Sequence, residues 1–555
     1  MHEIDEAWAK TCEILLGGEI GELGKFETHL SRYVAPLSMK KSAISGIGVA
    51  VHEGSFCNGA KFISNSESEA AAPVSRVNPL DINSIKDLDS ILEALAGRTY
   101  YSGNIVLGNS SNVSLSNRCM NSSCVYASSD VYDSEYVAYS SIMRYMKYAF
   151  GADTVADSAF VIGGFNTTHD TRCFEVNQTF YSSDCYYVAN LEGCNDCMFS
   201  FNLRNASYCI GNLALPKPEY GKIKAKLLED IRSTLASRKE APRIIDFLAL
   251  RKAKSGVFLQ KNSVLPDAGA TTPGRGTSSN FLSMQEQVPR QAALEKINSA
   301  FGETAQLIFG KRLGRMSDYG AWLQGHVPPP RKSKSVASGI AMVVPGWKFF
   351  STVGDFVTFE ESLELGRQTL SKEEIETFSL SNAAESLKGL SLTSPWFYRK
   401  SMGMVDVAIS REAQYCYWGS IYVFSRYCAY SHWPRDSEYV FGSNLIFSSK
   451  FCIKCHDSSN LSRCFEVSDS NNCSDCYFCH NCEGMQECMF CFNAKNLKYA
   501  IFNVKLEKVK YQALKKSALA GITKDLEENK SLGIDIFNLG CLHWKKRQER
   551  TRKKK

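Results

Sequence analysis

Between residues 100 and 212, and again between 415 and 503, small uncharged side chains recur at every third position. Rows of twelve from Tyr100 read YYSGNIVLGNSS, NVSLSNRCMNSS, CVYASSDVYDSE, YVAYSSIMRYMK, YAFGADTVADSA and FVIGGFNTTHDT, then RCFEVNQTFYSS, DCYYVANLEGCN, DCMFSFNLRNAS and YCIGN. From Tyr415 they read YCYWGSIYVFSR, YCAYSHWPRDSE, YVFGSNLIFSSK and FCIKCHDSSNLS, then RCFEVSDSNNCS, DCYFCHNCEGMQ, ECMFCFNAKNLK and YAIFN. Position 2 is almost always Cys, Val or Ala, and positions 5, 8 and 11 are mostly Ser, Val, Cys, Gly, Ala, Leu or Thr. A period of three is neither the helical 3.6 nor the strand's 2. It predicts a tight coil with four inward side chains per turn, each row pairing with the next through the backbone, hence a parallel β-solenoid with a narrow lumen. Tyr422, Pro434, Met143 and Met146 are large for that lumen, and predict a wider coil there or two rows per turn.

The two repetitive stretches align with each other. RCFEV at 172–176 matches RCFEV at 463–467 at an offset of 291, whereas DSEYV at 133–137 matches 436–440 at 303, a difference of one row. Upstream, residues 13–47 overlie 306–340 at an offset of 293, with Gly17 on Gly310, Gly21 on Gly314 and Pro36 on Pro329. Apolar residues three and four apart (Ile14, Leu15, Ile20, Leu23, Phe26, Leu30) predict a helix–turn–helix there. GIGVAVHEG with KFIS, and GIAMVVPGW with KFFS, predict short hairpins. Ser84 and Ser371 are expected N-caps of the next helices, the first stopping at Gly97, and charged helices follow each set of rows.

The expected fold is therefore α+β, a tandem duplication. Each copy is a helical and hairpin module, a parallel β-solenoid and a C-terminal capping helix. The expected boundaries are 1–98 and 292–390 for the modules, 99–215 and 391–506 for the solenoids, and 216–261 and 507–543 for the caps. Residues 262–291, rich in Pro, Gly, Ser and Thr, form the linker, and 544–555 a basic tail. Rows also place aromatic residues at positions 1 and 3, giving faces that hold Tyr136, Tyr148, Phe150 and Phe160 in one copy and Tyr427, Tyr439, Phe441 and Phe451 in the other. Such apolar faces need covering, by the flanking helices, the other solenoid or a partner.

Composition sharpens this picture at two places. Of the 555 residues 44% are hydrophobic and 22% charged, as in folded globular chains, and no apolar run is long enough to span a bilayer. With no export signal, the 21 cysteines point to a cytoplasmic protein with free thiols or metal. Cys473, Cys476, Cys479, Cys482, Cys488 and Cys491 have the CxxC spacing of a zinc site. They also sit on the inward register, and the other copy has Val188 and Ser200 where this one has Cys479 and Cys491. Lumen filling is thus the primary reading, zinc the alternative cofactor, and cross-lumen disulfides the third reading.

The net charge of +6 is concentrated in KKRQERTRKKK, where eight bases stand against one acid and leave the remainder at −1. Lys545, Lys546, Arg547, Arg550, Arg552, Lys553, Lys554 and Lys555 would contact phosphates without base selectivity. No phosphate-binding loop, dinucleotide fingerprint, zinc-protease motif or nucleophile elbow is present. The expectation is a non-enzymatic structural or interaction scaffold with a protein or large assembly as partner and no membrane. The alternatives are a nucleic-acid- or ribosome-associated factor anchored by the tail, and a zinc-dependent binding module.

Two resemblances accompany this reading. The row length and inward positions resemble the coils of beetle antifreeze proteins, in architecture only, because the threonine pairs that carry ice binding there are absent. The closing motifs FNLRNASYCIGN (201–212) and FNAKNLKYAIFN (492–503) resemble those of uncharacterised Cys-rich repeat proteins of candidate-phylum bacteria, archaea and their phages. That family has no established activity to carry over, so the resemblance implies short stacked repeats and nothing about function.

Overall fold

The computed structural model describes residues 2–52, 56–68, 85–95, 98–249, 288–395 and 397–541. The chain mixes helices with two large, mostly parallel sheets of fifteen and thirteen strands. Within each sheet, neighbouring strands pair at a register of twelve, as in Val137↔Ala149 and Val467↔Cys479. The first stack of rows spans residues 101–214 and the second 397–505.

The period of three has a backbone cause. From Cys124 through Ala127, Asp130, Asp133, Tyr136, Tyr139, Ile142, Tyr145 and Tyr148, each third residue adopts a left-handed conformation with φ between 45° and 61°. Each such residue turns the chain, so four short sides use twelve residues. For residues other than Gly, Asn or Asp this conformation costs about 1–2 kcal/mol. The rows offset that cost by bonding above and below: Glu135 N donates to Met146 O at 2.9 Å, and Tyr139 N to Tyr126 O at 3.1 Å.

Inward serines satisfy further amides. The Ser116, Ser128 and Ser140 hydroxyls each donate to the carbonyl two residues back at 2.8 Å. Each also accepts from the amide twelve residues on, at 3.0–3.1 Å. A buried amide without a partner would cost about 1–3 kcal/mol, so each of these serines stabilises the row that follows it.

The large inward residues are accommodated locally, with one row per layer and not two. Met143 and Met146 are buried beside Ala149 and Ala152, so bulk in one row meets small side chains in the next. Around Tyr422 the strand Gln414–Val423 runs on without a left-handed residue at 421. The ring lies over Gly419, and its hydroxyl donates to Tyr417 O at 3.1 Å.

Several expectations need correction. The first row, from Tyr100, is out of phase: Val106 pairs with Cys119 and Leu107 with Met120, a register of thirteen. Within the expected 391–506, further rows precede those written from Tyr415, with Phe397–Arg399 pairing with Val405–Arg411 at twelve. The hairpins are Leu37–Lys41 with Gly48–His52 and Arg331–Lys334 with Ala341–Val344. KFIS contributes a strand, Phe62–Ser64, that pairs in parallel with Tyr101–Gly103, whereas KFFS begins the helix Lys348–Val353. Ser371 does cap a helix, its hydroxyl accepting from Glu374 N and its amide donating to the Glu374 carboxylate, but that helix is only Lys372–Glu376. A second short helix, Ala383–Ser386, follows it. Ser84 and Gly97 lie outside the described residues.

Helices cover the sides and ends. His2–Leu16 lies along the first stack, with Trp8 against Phe150 at 5.2 Å, and Arg290–Phe309 lies along the second, with Phe301 against Phe441 at 5.3 Å. Position 3 of the rows is thus buried under helices. Position 1 forms half-buried ladders at their margins, Tyr136–Tyr148–Phe160 at 4.8 and 4.6 Å and Tyr415–Tyr427–Tyr439–Phe451 at 5.5, 5.0 and 4.7 Å.

Each stack ends in a two-residue antiparallel strand, Leu213–Ala214 or Val504–Lys505, before the charged helices Lys217–Arg238 and Lys508–Asn529. Those ends are closed by the opposite half of the chain. Leu370 N donates to Gly211 O at 2.9 Å, and Phe378 packs on Phe199 at 4.8 Å. At the other end, Ser517 Oγ donates to Lys86 O at 2.9 Å, and Tyr101 OH to Ile536 O at 2.9 Å. Contacts between the two halves of the chain therefore run in both directions.

Candidate functional site

Cys473, Cys476, Cys479, Cys482, Cys488 and Cys491 are buried in one inward cluster with Val467, Ile446 and Ala500. Each thiol donates to the carbonyl two residues back: Cys473 to Asn471 O and Cys476 to Ser474 O at 3.3 Å, Cys482 to His480 O and Cys488 to Gln486 O at 3.4 Å, and Cys479 to Tyr477 O and Cys491 to Met489 O at 3.5 Å. This is the bond that serine makes in the same column. Burial pushes the Cys476, Cys482 and Cys491 thiols up, whereas bonds from neighbouring thiols outweigh burial at Cys479 and bring Cys488 down to about 5, so the thiols act on one another and do not shift as a set. Among the described residues no three His, Cys, Asp or Glu side chains group around a metal position.

Nineteen of the 21 cysteines are free; Cys57 and Cys541 form a disulfide across 484 residues of chain, a pair that no row pattern marks. Lys545, Lys546, Arg547, Arg550, Arg552, Lys553, Lys554 and Lys555 lie outside the described residues. Among the described residues no helix is long and apolar enough to cross a membrane.

A buried polar cluster lies between the stacks, where sequence reading placed nothing. Corner residues face outward from their own row, and where the two stacks meet, corners of one face corners of the other. Arg118, only 5% exposed, sits there. Its Nη1 is 3.4 Å from Asp130 Oδ1, one row on in its own stack. Its Nη2 is 3.1 Å from Asp457 Oδ2, and its Nε bonds the Asp469 carboxylate, both in the second stack. Burial opposes the charge on Asp469, but Arg118 and His480 outweigh it and hold this carboxyl below its usual range. Asp457 is pushed well up by burial, which Arg118 only partly opposes.

His480 completes the cluster. Its Nδ1 is 3.2 Å from Asp469 Oδ2 and 2.8 Å from Ser468 Oγ. Its Nε2 accepts from Ser102 N at 3.0 Å, across the stack interface. An Asp–His pair beside a serine invites comparison with a nucleophilic triad, but the nitrogen that would serve as base is occupied by a backbone amide and fully buried. The arrangement ties one stack to the other.

A second device recurs in both halves. Glu175 Oε2 accepts from Ile244 N at 2.7 Å, and Glu466 Oε2 from Ile536 N at 2.9 Å. Each buried glutamate so anchors the segment that follows its half's charged helix. Arg243 Nε bonds Glu175 Oε1 at 2.6 Å, while Lys454 Nζ lies 3.9 Å from Glu466 Oε1. The signal was in the sequence: these are the acids of the shared RCFEV.

No family model, curated protein or solved structure matches the chain.

Proposed function

We propose that the protein is a non-enzymatic structural or interaction scaffold, a tandem duplication of a β-solenoid built from twelve-residue rows. The observation that carries this reading is that the row thiols, the Arg118 cluster and His480 are engaged internally. The thiols bond backbone carbonyls, Arg118 and its three aspartates join the stacks, and His480 is capped by Ser102 N. What such a body offers outward is a long, stiff surface.

The test is crosslinking mass spectrometry on the full chain purified under native conditions. The scaffold reading expects a stoichiometric protein partner with crosslinks along the outer faces of the rows and flanking helices. A chain that yields only nucleic acid, or that turns over a small molecule with loss of activity in His480→Gln, overturns it. The second reading, nucleic-acid or ribosome association, rests on the eight basic residues at 545–555. It expects salt-dependent RNA binding that disappears when those residues are deleted, and no binding with the tail intact removes it. Metal analysis of the same preparation tests the zinc-dependent reading, which requires stoichiometric zinc.

A further inference from the structure

Away from the Arg118 cluster, the stacks border a partly open cavity of about 40 Å³ lined by Thr154, Asn166 and Phe180 of the first and Arg411, Trp433 and Arg435 of the second. Arg411 and Arg435 are 7% and 8% exposed. Two donors of the lining, Arg411 Nε and Asn166 Nδ2, have no hydrogen-bond partner, and a third, Arg435 Nε, has only a long approach of 3.5 Å to Asp436 Oδ2. The remaining guanidinium contacts hold these side chains in place. Arg411 Nη2 bonds the Tyr181 hydroxyl, and Arg435 Nη2 pairs with Asp157 Oδ2 at 2.8 Å. Both guanidinium carbons lie over the Phe424 ring, at 5.0 and 5.9 Å.

The charge around the cavity does not balance. Beside Arg411 and Arg435 lies a third buried guanidinium, Arg144, whose Nη1 is 3.8 Å from Asp436 Oδ2. Arg435 Nε is 3.5 Å from the same oxygen. The carboxylates paired with this group are Asp157 and the half-exposed Asp436, so three cations meet two anions, and among the described residues no carboxylate pairs with Arg411. A buried charge without a counter-charge costs several kcal/mol.

We propose that the cavity binds a small monovalent anion of halide size, held by Arg411 Nε, Arg435 Nε and Asn166 Nδ2. The excess of one positive charge matches a monovalent ion. The volume would hold about three water-sized bodies, room for a halide ion with one or two waters and too little for a nucleotide or a sugar phosphate. Because donors come from both stacks, the ion would act as a bridge between them, and its binding would stabilise the assembled chain by mass action.

The experiment uses the full chain. Thermal unfolding is followed in sodium chloride, sodium bromide and sodium gluconate at matched ionic strength, and crystals grown in bromide are examined for anomalous scattering. The expected result is a higher Tm in chloride and bromide than in gluconate, rising with halide concentration. Bromide should appear in the cavity, and the halide response should vanish in Arg411→Met. Should that variant fail to fold, Asn166→Leu, which removes one neutral donor, is expected to weaken the response several-fold. Equal Tm in all three salts with no bromide in the cavity means that water alone fills it, and overturns the proposal. A halide response that survives both substitutions places the ion elsewhere and overturns it equally.

Discussion

Asp170 stands in a column of inward serines, and it turns the dry interior of the first stack into a measurable pH dependence. Ser158 Oγ accepts from Asp170 N at 2.9 Å, and Asp170 Oδ1 in turn accepts from Ser182 N at 2.9 Å, so the carboxyl takes over the serine's bond to the row above. The other oxygen bonds the Thr179 hydroxyl. No basic side chain pairs with it among the described residues. Burial pushes its carboxyl up to about 8, with the bonds from Thr179 and Ser182 opposing only in part. In the unfolded chain an aspartate titrates near ~3.9. Between those values the folded state keeps a proton that the unfolded state has released, so stability falls as pH rises through the window and levels off above about 8. At about 1.4 kcal/mol per unit, the loss from pH 4 to pH 7 is about 4 kcal/mol. Asp170→Asn keeps an acceptor for Ser182 N and cannot ionise. The variant should match the wild type near pH 4 and exceed it by several kcal/mol at pH 8. Urea unfolding of both proteins at pH 5, 6, 7 and 8 measures the difference. Glu466, also pushed up to about 8 by burial, contributes to both proteins and cancels. Parallel pH profiles for the two would refute the reasoning.

Three further perturbations probe other parts of the molecule. Arg118→Met leaves Asp130, Asp457 and Asp469 buried without their cation and should cost about 3–5 kcal/mol in denaturant unfolding. Adding Asp469→Asn, at the carboxyl that Arg118 keeps ionised, should recover part of that loss, and a single-variant cost below about 1 kcal/mol would mean the cluster does not join the stacks. Reducing the Cys57–Cys541 bond, which closes 484 residues, should lower stability by about 2–5 kcal/mol; an unchanged melting curve in dithiothreitol, with free thiols counted, is the contrary result. Gly419→Ala would set a methyl 2.3 Å from the Tyr422 hydroxyl and should cost about 1–3 kcal/mol. Tyr422→Val in the same chain should absorb much of that cost, so strictly additive losses would speak against the contact.

The row pattern was legible because each layer of the stack imposes the same rule. A left-handed residue every third position sends one side chain in three inward, and only Ser, Cys, Val, Ala and their like fit there. Phase errors arose where the rule is locally suspended. At the first row, Tyr101–Gly103 pairs with the strand Phe62–Ser64 and the chain uses one extra residue before its first pairing with the next row; at Tyr422 a glycine makes room that composition alone does not announce. The cysteines were read in their correct register, but their thiol bonds to carbonyls two residues back follow from corner geometry that no spacing displays. The interface cluster was illegible for another reason. Arg118 and Asp469 are 351 residues apart, and each looks like an ordinary solvated corner until the two stacks are brought together.

The exchange of end covers follows from the same backbone logic. A stack of parallel rows pairs its amides and carbonyls with the rows above and below, so its two terminal rows present unpaired edges and exposed apolar corners. In the first stack the last row bonds back onto Leu213–Ala214, and Leu370 N takes the Gly211 carbonyl. In the second, Val504–Lys505 does the same, and Asn493 Nδ2 donates to Tyr100 O at 3.0 Å. Each half thus supplies a cover that the other needs. Cutting the chain between 249 and 288 would leave both halves with their rows intact and their ends open. The two stacks are for that reason one cooperative body, and the disulfide from Cys57 to Cys541 joins the segment entering the first stack to the segment leaving the second.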